Sequence, residues 1–115
     1  MAGATLSITE SDSNGIRVIA LDGEIDAHTV PSLKAALDKS IAAGKIKVMI
    51  DATKLGYISS AGIGVFNAAL GIIKSKGGKL SIGGAGKTVM DTLEVMYFTK
   101  KVDVFTSASD ALANF

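Results

Sequence analysis

The chain has 115 residues, of which 48% are hydrophobic, and it contains no Cys and a single His. This composition supports one domain with its own core, and it excludes a Cys/His zinc site, a thiol nucleophile and a disulfide framework. Twelve Lys and Arg against eleven Asp and Glu leave a net charge of +1, which argues against a dedicated nucleic-acid-binding protein, because these usually carry a basic excess. We therefore expect a single domain over residues 1–115, with no metal and no cofactor.

The first half of the chain predicts a hairpin, a helix and a strand. Apolar residues alternate with polar ones over 5–9 and are frequent again over 16–21, with a polar turn between the two runs, as in an antiparallel hairpin. Apolar residues then recur at steps of three and four, which predicts a helix with Thr29 as its N-cap and an end at Gly44. Residues 46–50 are mostly apolar, which indicates a short strand covered on both faces.

The second half repeats this alternation. A helical stripe of apolar residues runs to Ile73, and short strands are predicted at 80–82 and 102–105. Two more helices should begin with capping boxes, formed by Thr88 with Asp91 and by Ser107 with Asp110. The order predicts an α/β fold, with a mixed β-sheet of about four to five strands, an N-terminal hairpin and about four helices.

No targeting or membrane-spanning segment is evident in the sequence. The first residues lack both a basic leader and a long apolar stretch, and the apolar window 61–73 is interrupted by three glycines and an asparagine. We expect a cytoplasmic protein without a membrane partner.

One segment, residues 51–64, combines a strand end, a polar loop and a helix start rich in small residues. If Ser59 is the N-cap of this helix, Ile58 and Ile63 are placed to form a hydrophobic staple. Ser60 then occupies the first helical position with its hydroxyl free. Because the neighbouring Ala61, Gly62 and Gly64 leave the backbone bare, a large partner could approach Ser60 closely.

A phosphate on Ser60 would lie at the N-terminus of a helix, where free N–H groups and the helix dipole favour negative charge. Phosphorylation would add about −1.5 to −2 charges at neutral pH, so the fold should tolerate it while a partner packed on this surface would be repelled. The alternative is an ordinary capped helix whose small residues allow close packing on the sheet. The residues alone leave both interpretations open.

Polar residues also cluster where the hairpin leads into the first helix. Glu24 and Asp26 are two residues apart, and paired carboxylates can perform acid–base chemistry. No nucleophile or pocket accompanies them, so a solvated strand end is the preferred interpretation. A hydrolase that uses Ser60 and His28 would require a pocket joining these two residues.

Two segments resemble the STAS domain family, and within it the bacterial anti-sigma factor antagonists. Residues 21–26 read LDGEID and residues 57–64 read YISSAGIG; the closing SASDAL at 107–112 is also similar to the last helix of that family. The order and spacing of these segments, together with the length of the chain, support the resemblance.

The resemblance implies a non-enzymatic switch. Its partners would be an anti-sigma factor that is also a serine kinase, and a PPM-type serine phosphatase that reverses the modification. In the family the phosphorylated serine precedes Ser, Thr or Ala and then Gly, which places it at Ser60. The implied partner-binding residues are Gly23, Glu24, Asp26, Ser59, Ser60, Ala61, Gly62 and Ile63.

One position departs from the family pattern. Many antagonists carry Asp directly before the phosphorylated serine, whereas this chain has Ser59, so Ser59 is an alternative acceptor. A scaffold subunit of a larger sensory assembly is the alternative function, and a monomer or weak dimer without nucleic acid is expected.

Overall fold

The computed structural model describes residues 4–115, which form five strands and four α-helices around one mixed sheet. The elements in chain order are β1 (Leu6–Ser13), β2 (Ile16–Ile25), α1 (Val30–Ala42), β3 (Lys47–Ile58), α2 (Ser60–Ser75), β4 (Lys79–Gly83), α3 (Lys87–Val95), a 3-10 turn (Phe98–Lys100), β5 (Asp103–Phe105) and α4 (Ala108–Ala113). The strands lie in the order β1-β2-β3-β4-β5, with β1 antiparallel to β2 and all other neighbours parallel. The predicted fold class is confirmed. Among the described helices, none is long and apolar enough to cross a membrane.

The N-terminal hairpin turns more tightly than predicted. Asn14 and Gly15 both have positive φ, 52° and 82°, as a two-residue hairpin turn of the primed type requires. The polar residues Ser11 and Asp12 belong to β1 and not to the turn, because an outward-facing edge strand accommodates polar side chains.

The two faces of the sheet are covered unequally. α1, α2 and α3 pack on one face around a core that includes Ile19, Ile50 and Phe66. On the other face α4 covers a smaller cluster built on Met49 and Ala111. The helices that matter for the site therefore all lie on one face of the sheet.

β3 is much longer than the sequence predicted. The predicted short strand at 46–50 and the polar loop that follows it form one strand of 12 residues. The pairing of β3 with β2 shifts by one residue twice, between Asp51 and Lys54 and between Leu55 and Tyr57. These irregularities place buried residues three apart instead of two, so the alternation expected of a strand is lost.

The start of α3 differs from the prediction, whereas that of α4 agrees with it. Gly86 is the N-cap of α3, and Asp91 forms an ion pair with Lys87 at 3.0 Å instead of a capping box with Thr88. At α4 the Ser107 hydroxyl accepts a hydrogen bond from the Asp110 N–H at 3.0 Å, which confirms Ser107 as a cap.

Candidate functional site

The site lies where the carboxyl ends of β2 and β3 meet. The Ser59 N–H donates a hydrogen bond of 2.8 Å to the carbonyl oxygen of Ile25, the last residue of β2. Asp26 follows Ile25 directly, and Ser60 follows Ser59 as the first residue of α2. The two segments that carry the family resemblance thus lie side by side at the carboxyl-terminal end of the parallel strands.

Ser59 caps α2 as predicted. Its backbone is extended, and its hydroxyl oxygen accepts a hydrogen bond from the Gly62 N–H at 3.2 Å. The flanking Ile58 and Ile63 are both buried in the core, as the two residues of a hydrophobic staple should be. The Ser59 hydroxyl is therefore occupied by the helix it caps.

Ser60 presents the free hydroxyl of this helix start. Its side chain is exposed, and it takes part in no side-chain hydrogen bond between the described residues. It lies in the first turn of a 16-residue helix, where the peptide dipoles add up to a partial positive charge. An anionic group on this oxygen would be favoured electrostatically by the helix.

The small residues near Ser60 have two different roles. A Cβ added to Gly62 would lie 2.6 Å from Cγ2 of Ile25 and 2.9 Å from Cγ1 of Ile58, so Gly62 lets α2 approach the strand ends. Ala61 and Gly64 are exposed, and a Cβ on Gly64 would meet nothing within 4 Å. Close packing therefore accounts for the absence of a side chain at Gly62. Ala61 and Gly64, in contrast, leave a surface that a partner can reach.

The Asp26 carboxylate holds the turn between β2 and α1. Its Oδ1 accepts hydrogen bonds from the His28 N–H at 2.9 Å and from the Thr29 N–H at 3.1 Å. The Thr29 hydroxyl donates to the Glu24 carbonyl oxygen at 2.8 Å and accepts from the Asp26 N–H at 3.0 Å. Thr29 is the N-cap residue of α1, as predicted, but its side chain makes no cap hydrogen bond because its oxygen points back to the strand.

Sequence reasoning missed this role of Thr29. The available signal was the spacing of Asp26 and Thr29, since Asp and Thr side chains near a turn commonly hydrogen-bond the backbone two or three residues away. Thr29 is buried, at 6% exposure, so it supports the site from inside.

Gly23 is required by the backbone at the edge of the site. Its φ is +129°, and a Cβ there would overlap the carbonyl oxygen of Thr5. The same oxygen accepts a hydrogen bond of 2.9 Å from the Glu24 N–H. The absence of a side chain at Gly23 thus lets the backbone at the start of β1 lie close against β2. The neighbouring Glu24 is exposed.

Neither Ser60 nor His28 lines any of the four main depressions on the surface of the described residues. The one that approaches Ser60 is a groove of about 230 Å³ between α1 and α2, lined by Ala61, Gly64 and Val65 among others. Within residues 4–115 no cluster of acidic and His side chains could hold a metal ion.

The chain is similar to known proteins in both sequence and structure. The profile of the STAS domain matches residues 7–111. The chain is 28% identical over 100 residues to the anti-sigma-B factor antagonist of Listeria monocytogenes, covering 87% of each protein. Its structure is similar to that of an anti-sigma factor antagonist from Mycobacterium paratuberculosis, with a TM-score of 0.88, 21% identity and coverage of 96% and 93%. The phosphorylated form of the Bacillus cell fate determinant SpoIIAA aligns with a TM-score of 0.72 and 16% identity over 96% of this chain and 98% of that one.

Proposed function

Because the chain belongs to the STAS domain family, we propose that it is an anti-sigma factor antagonist controlled by phosphorylation of Ser60. In this proposal it binds an anti-sigma factor that is also a serine kinase, and the phosphate releases that partner. A PPM-type serine phosphatase restores the unmodified protein. Support comes from the names of the relatives, which include the Listeria anti-sigma-B factor antagonist, and from a structural neighbour in a phosphorylated form.

The observation that carries the choice of acceptor is the contrast between the two adjacent hydroxyls. Ser59 accepts a hydrogen bond from Gly62 and is only half-exposed, whereas Ser60 is exposed and its hydroxyl makes no such bond with any described residue. Modification of Ser59 would remove the cap of α2, which typically costs about 1 kcal/mol. Modification of Ser60 leaves the cap intact.

The reaction proposed for Ser60 is a phosphoryl transfer performed by the partner. The Ser60 oxygen forms a bond to the γ-phosphorus of ATP as the bond to the β-phosphate oxygen breaks, ADP leaves, and the hydroxyl proton passes to a base of the kinase. ATP and its magnesium ion belong to the kinase. This chain contributes the acceptor hydroxyl and the helix N-terminus that stabilises the phosphate.

The proposed partner surface combines side chains that face outward with others that support them. Glu24, Ser60 and Ala61 are exposed and would contact the partner directly. Asp26 and Ser59 are half-buried. Gly62 and Ile63 are buried, so these two residues would act by positioning the start of α2. Gly23 would act similarly on Glu24.

The test is incubation with the anti-sigma kinases of the source organism, purified singly, and Mg-ATP. Mass spectrometry should find one phosphate on Ser60, and Ser60→Ala should abolish it while Ser59→Ala retains it. Ser60→Asp should keep the fold, judged by circular dichroism, and weaken kinase binding in calorimetry. A phosphate on Ser59, or an unchanged affinity of Ser60→Asp, contradicts the proposal.

A further inference from the structure

The net charge of +1 hides two oppositely charged ends of the domain. Since β2 to β5 are parallel and each helix returns against them, the fold has an amino end and a carboxyl end. We define the amino end as residues 10–17, 39–47, 71–79, 92–103 and 111–115. It holds nine of the twelve basic residues and four of the eleven acidic ones, a net charge of +5. We define the carboxyl end as all other described residues; it contains Ser60 and holds the other three basic and seven acidic residues, a net charge of −4.

The lysines of the amino end are mostly free of carboxylates. The ion pairs between described residues there involve Arg17, Lys45 and Lys79. Six exposed lysines form none with any described residue: Lys39, Lys47, Lys74, Lys76, Lys100 and Lys101.

The lysines of the amino end, both paired and unpaired, come from neighbouring elements. Lys47 and Lys79 are paired residues of adjacent strands. The Lys101 Nζ donates to Oδ1 of Asn67 on α2 at 3.0 Å, and Lys74 lies seven residues, or about two turns, further along the same side of that helix. The free positive charge thus spreads across the end of the domain.

An exposed apolar turn lies beside these lysines. Val95, Met96 and Tyr97, at the end of α3, are 75%, 42% and 68% exposed. Tyr97 has a φ of 59° in the left-handed region, at the position after a helix C-cap that glycine usually occupies. The next residue, Phe98, is buried and stacks on Phe66 with ring centroids 6.2 Å apart. The fold therefore anchors Phe98 and holds the Tyr97 ring outward in an unfavourable backbone conformation.

We propose that this lysine-rich end binds the surface of an anionic lipid bilayer. The three apolar side chains of the turn would enter the headgroup region, and the free lysines would contact lipid phosphates. Lysines spread over a face and belonging to separate elements suit a diffuse anionic surface better than a single bound anion, because each acts as a compact point charge. Tyr97 is followed in the chain by Lys100 and Lys101, and tyrosine and lysine are both residues that suit the membrane–water interface.

This proposal differs from the expectation of no membrane partner and is independent of the proposed phosphorylation. Ser60 lies at the other end of the domain, so a membrane-bound molecule would still present Ser60 to a kinase. Loss of lipid binding and loss of phosphorylation are thus separate outcomes.

Flotation with lipid vesicles tests the proposal. The full chain should float with phosphatidylcholine vesicles that contain about 30% phosphatidylglycerol at about 50 mM salt, but not with pure phosphatidylcholine, and about 500 mM salt should abolish binding. The double variant Lys100→Gln/Lys101→Gln should partition about 25-fold less, since each surface lysine contributes about fivefold. The control Lys54→Gln/Lys87→Gln removes the same charge from the carboxyl end and should bind like the parent.

A second variant examines the apolar turn. Tyr97→Gly suits the left-handed backbone and removes the ring, so it should stay folded and bind anionic vesicles several-fold more weakly. Absence of flotation at low salt, or equal losses in the two lysine variants, would overturn the proposal. So would a single-stranded oligonucleotide that binds as tightly as the vesicles and is unaffected by Tyr97→Gly, since the surface would then be a general polyanion site.

Discussion

Ser59 and Ile25 are joined by a backbone hydrogen bond of 2.8 Å, and this bond fixes the start of α2 against the end of β2. Gly62 continues the contact one helical turn later, where α2 packs on the Ile25 side chain. The position of Ser60 relative to the Asp26 turn therefore depends on backbone atoms and on the absence of a side chain at residue 62.

Substitution of Gly62 should disturb the site from within. In Gly62→Ala the new methyl group would lie 2.6 Å from Cγ2 of Ile25, so either the helix or the isoleucine must move, at a cost of about 1–3 kcal/mol. Urea denaturation should show this loss, and kinase binding should weaken as well.

The matched control for Gly62 is Gly64→Ala on the same helix. A Cβ there meets nothing within 4 Å, so the better helix propensity of alanine should leave stability unchanged or raise it by up to about 1 kcal/mol. Equal destabilisation by both substitutions would show that the close contact with Ile25 is not the cause.

The two serines should differ in their effects on folding. Ser59→Ala removes the side-chain cap seen at Gly62 and should lower the free energy of unfolding by about 1 kcal/mol. Ser60→Ala removes an exposed hydroxyl that makes no side-chain hydrogen bond within the described part of the chain, and it should change the free energy of unfolding by less than about 0.5 kcal/mol. Thermal and urea unfolding of the two variants measure this difference, and a larger loss for Ser60→Ala would contradict the assignment of the cap.

Sequence patterns predicted the succession of strands and helices along the chain, because each element is recognised by its local periodicity. The Ser59 cap and the Ser107 cap were also predictable, since each is a short-range contact between residues three apart. The full length of β3 was not, because its pairing with β2 contains two extra residues, near Lys54 and near Gly56, and bulges remove the period-two signal. The charge separation was equally hidden, since it arises only when parallel strands bring distant segments to the same end.

Ser81 offers a stabilising substitution. Its hydroxyl is buried, at 0% exposure, and has no hydrogen-bond partner among residues 4–115, which is unfavourable because the group has lost its contact with water. Ser81→Ala should therefore raise the free energy of unfolding by about 1 kcal/mol. Ser40 is the control, because its buried hydroxyl bonds Glu10 at 3.3 Å; Ser40→Ala should destabilise, and a loss of stability in both variants would contradict the argument.

Acid should reveal the contribution of the hairpin ion pair. The hydrogen bond from Arg17 to Asp12, 2.8 Å long, lowers the pKa of the Asp12 carboxyl, and the nearby positive charges of Arg17 and Lys45 act in the same direction. A lowered pKa in the folded state means that the stabilisation is fully present above the unfolded value of about 3.9 and is lost as the pH falls through the folded value.

In Arg17→Gln the Asp12 pKa should return toward its ordinary value, which NMR titration of the carboxyl carbon can follow. Stability measured between about pH 5 and pH 2 should fall less steeply in this variant through the Asp12 titration. Because Asp12 is half exposed, at 49%, the difference should shrink in high salt. An unchanged pKa for Asp12 in the variant would contradict the role of Arg17.

The conformation of Tyr97 makes a final prediction that is independent of any ligand. A non-glycine residue in the left-handed region costs on the order of 1 kcal/mol, and Tyr97 has a φ of 59° and is 68% exposed. Tyr97→Gly should remove this strain and raise the free energy of unfolding by up to about 1 kcal/mol, measured by urea denaturation. Tyr97→Ala removes the same ring but keeps a Cβ, so it should gain none of this stability. If alanine and glycine stabilise equally, the effect comes from the exposed ring and not from the backbone.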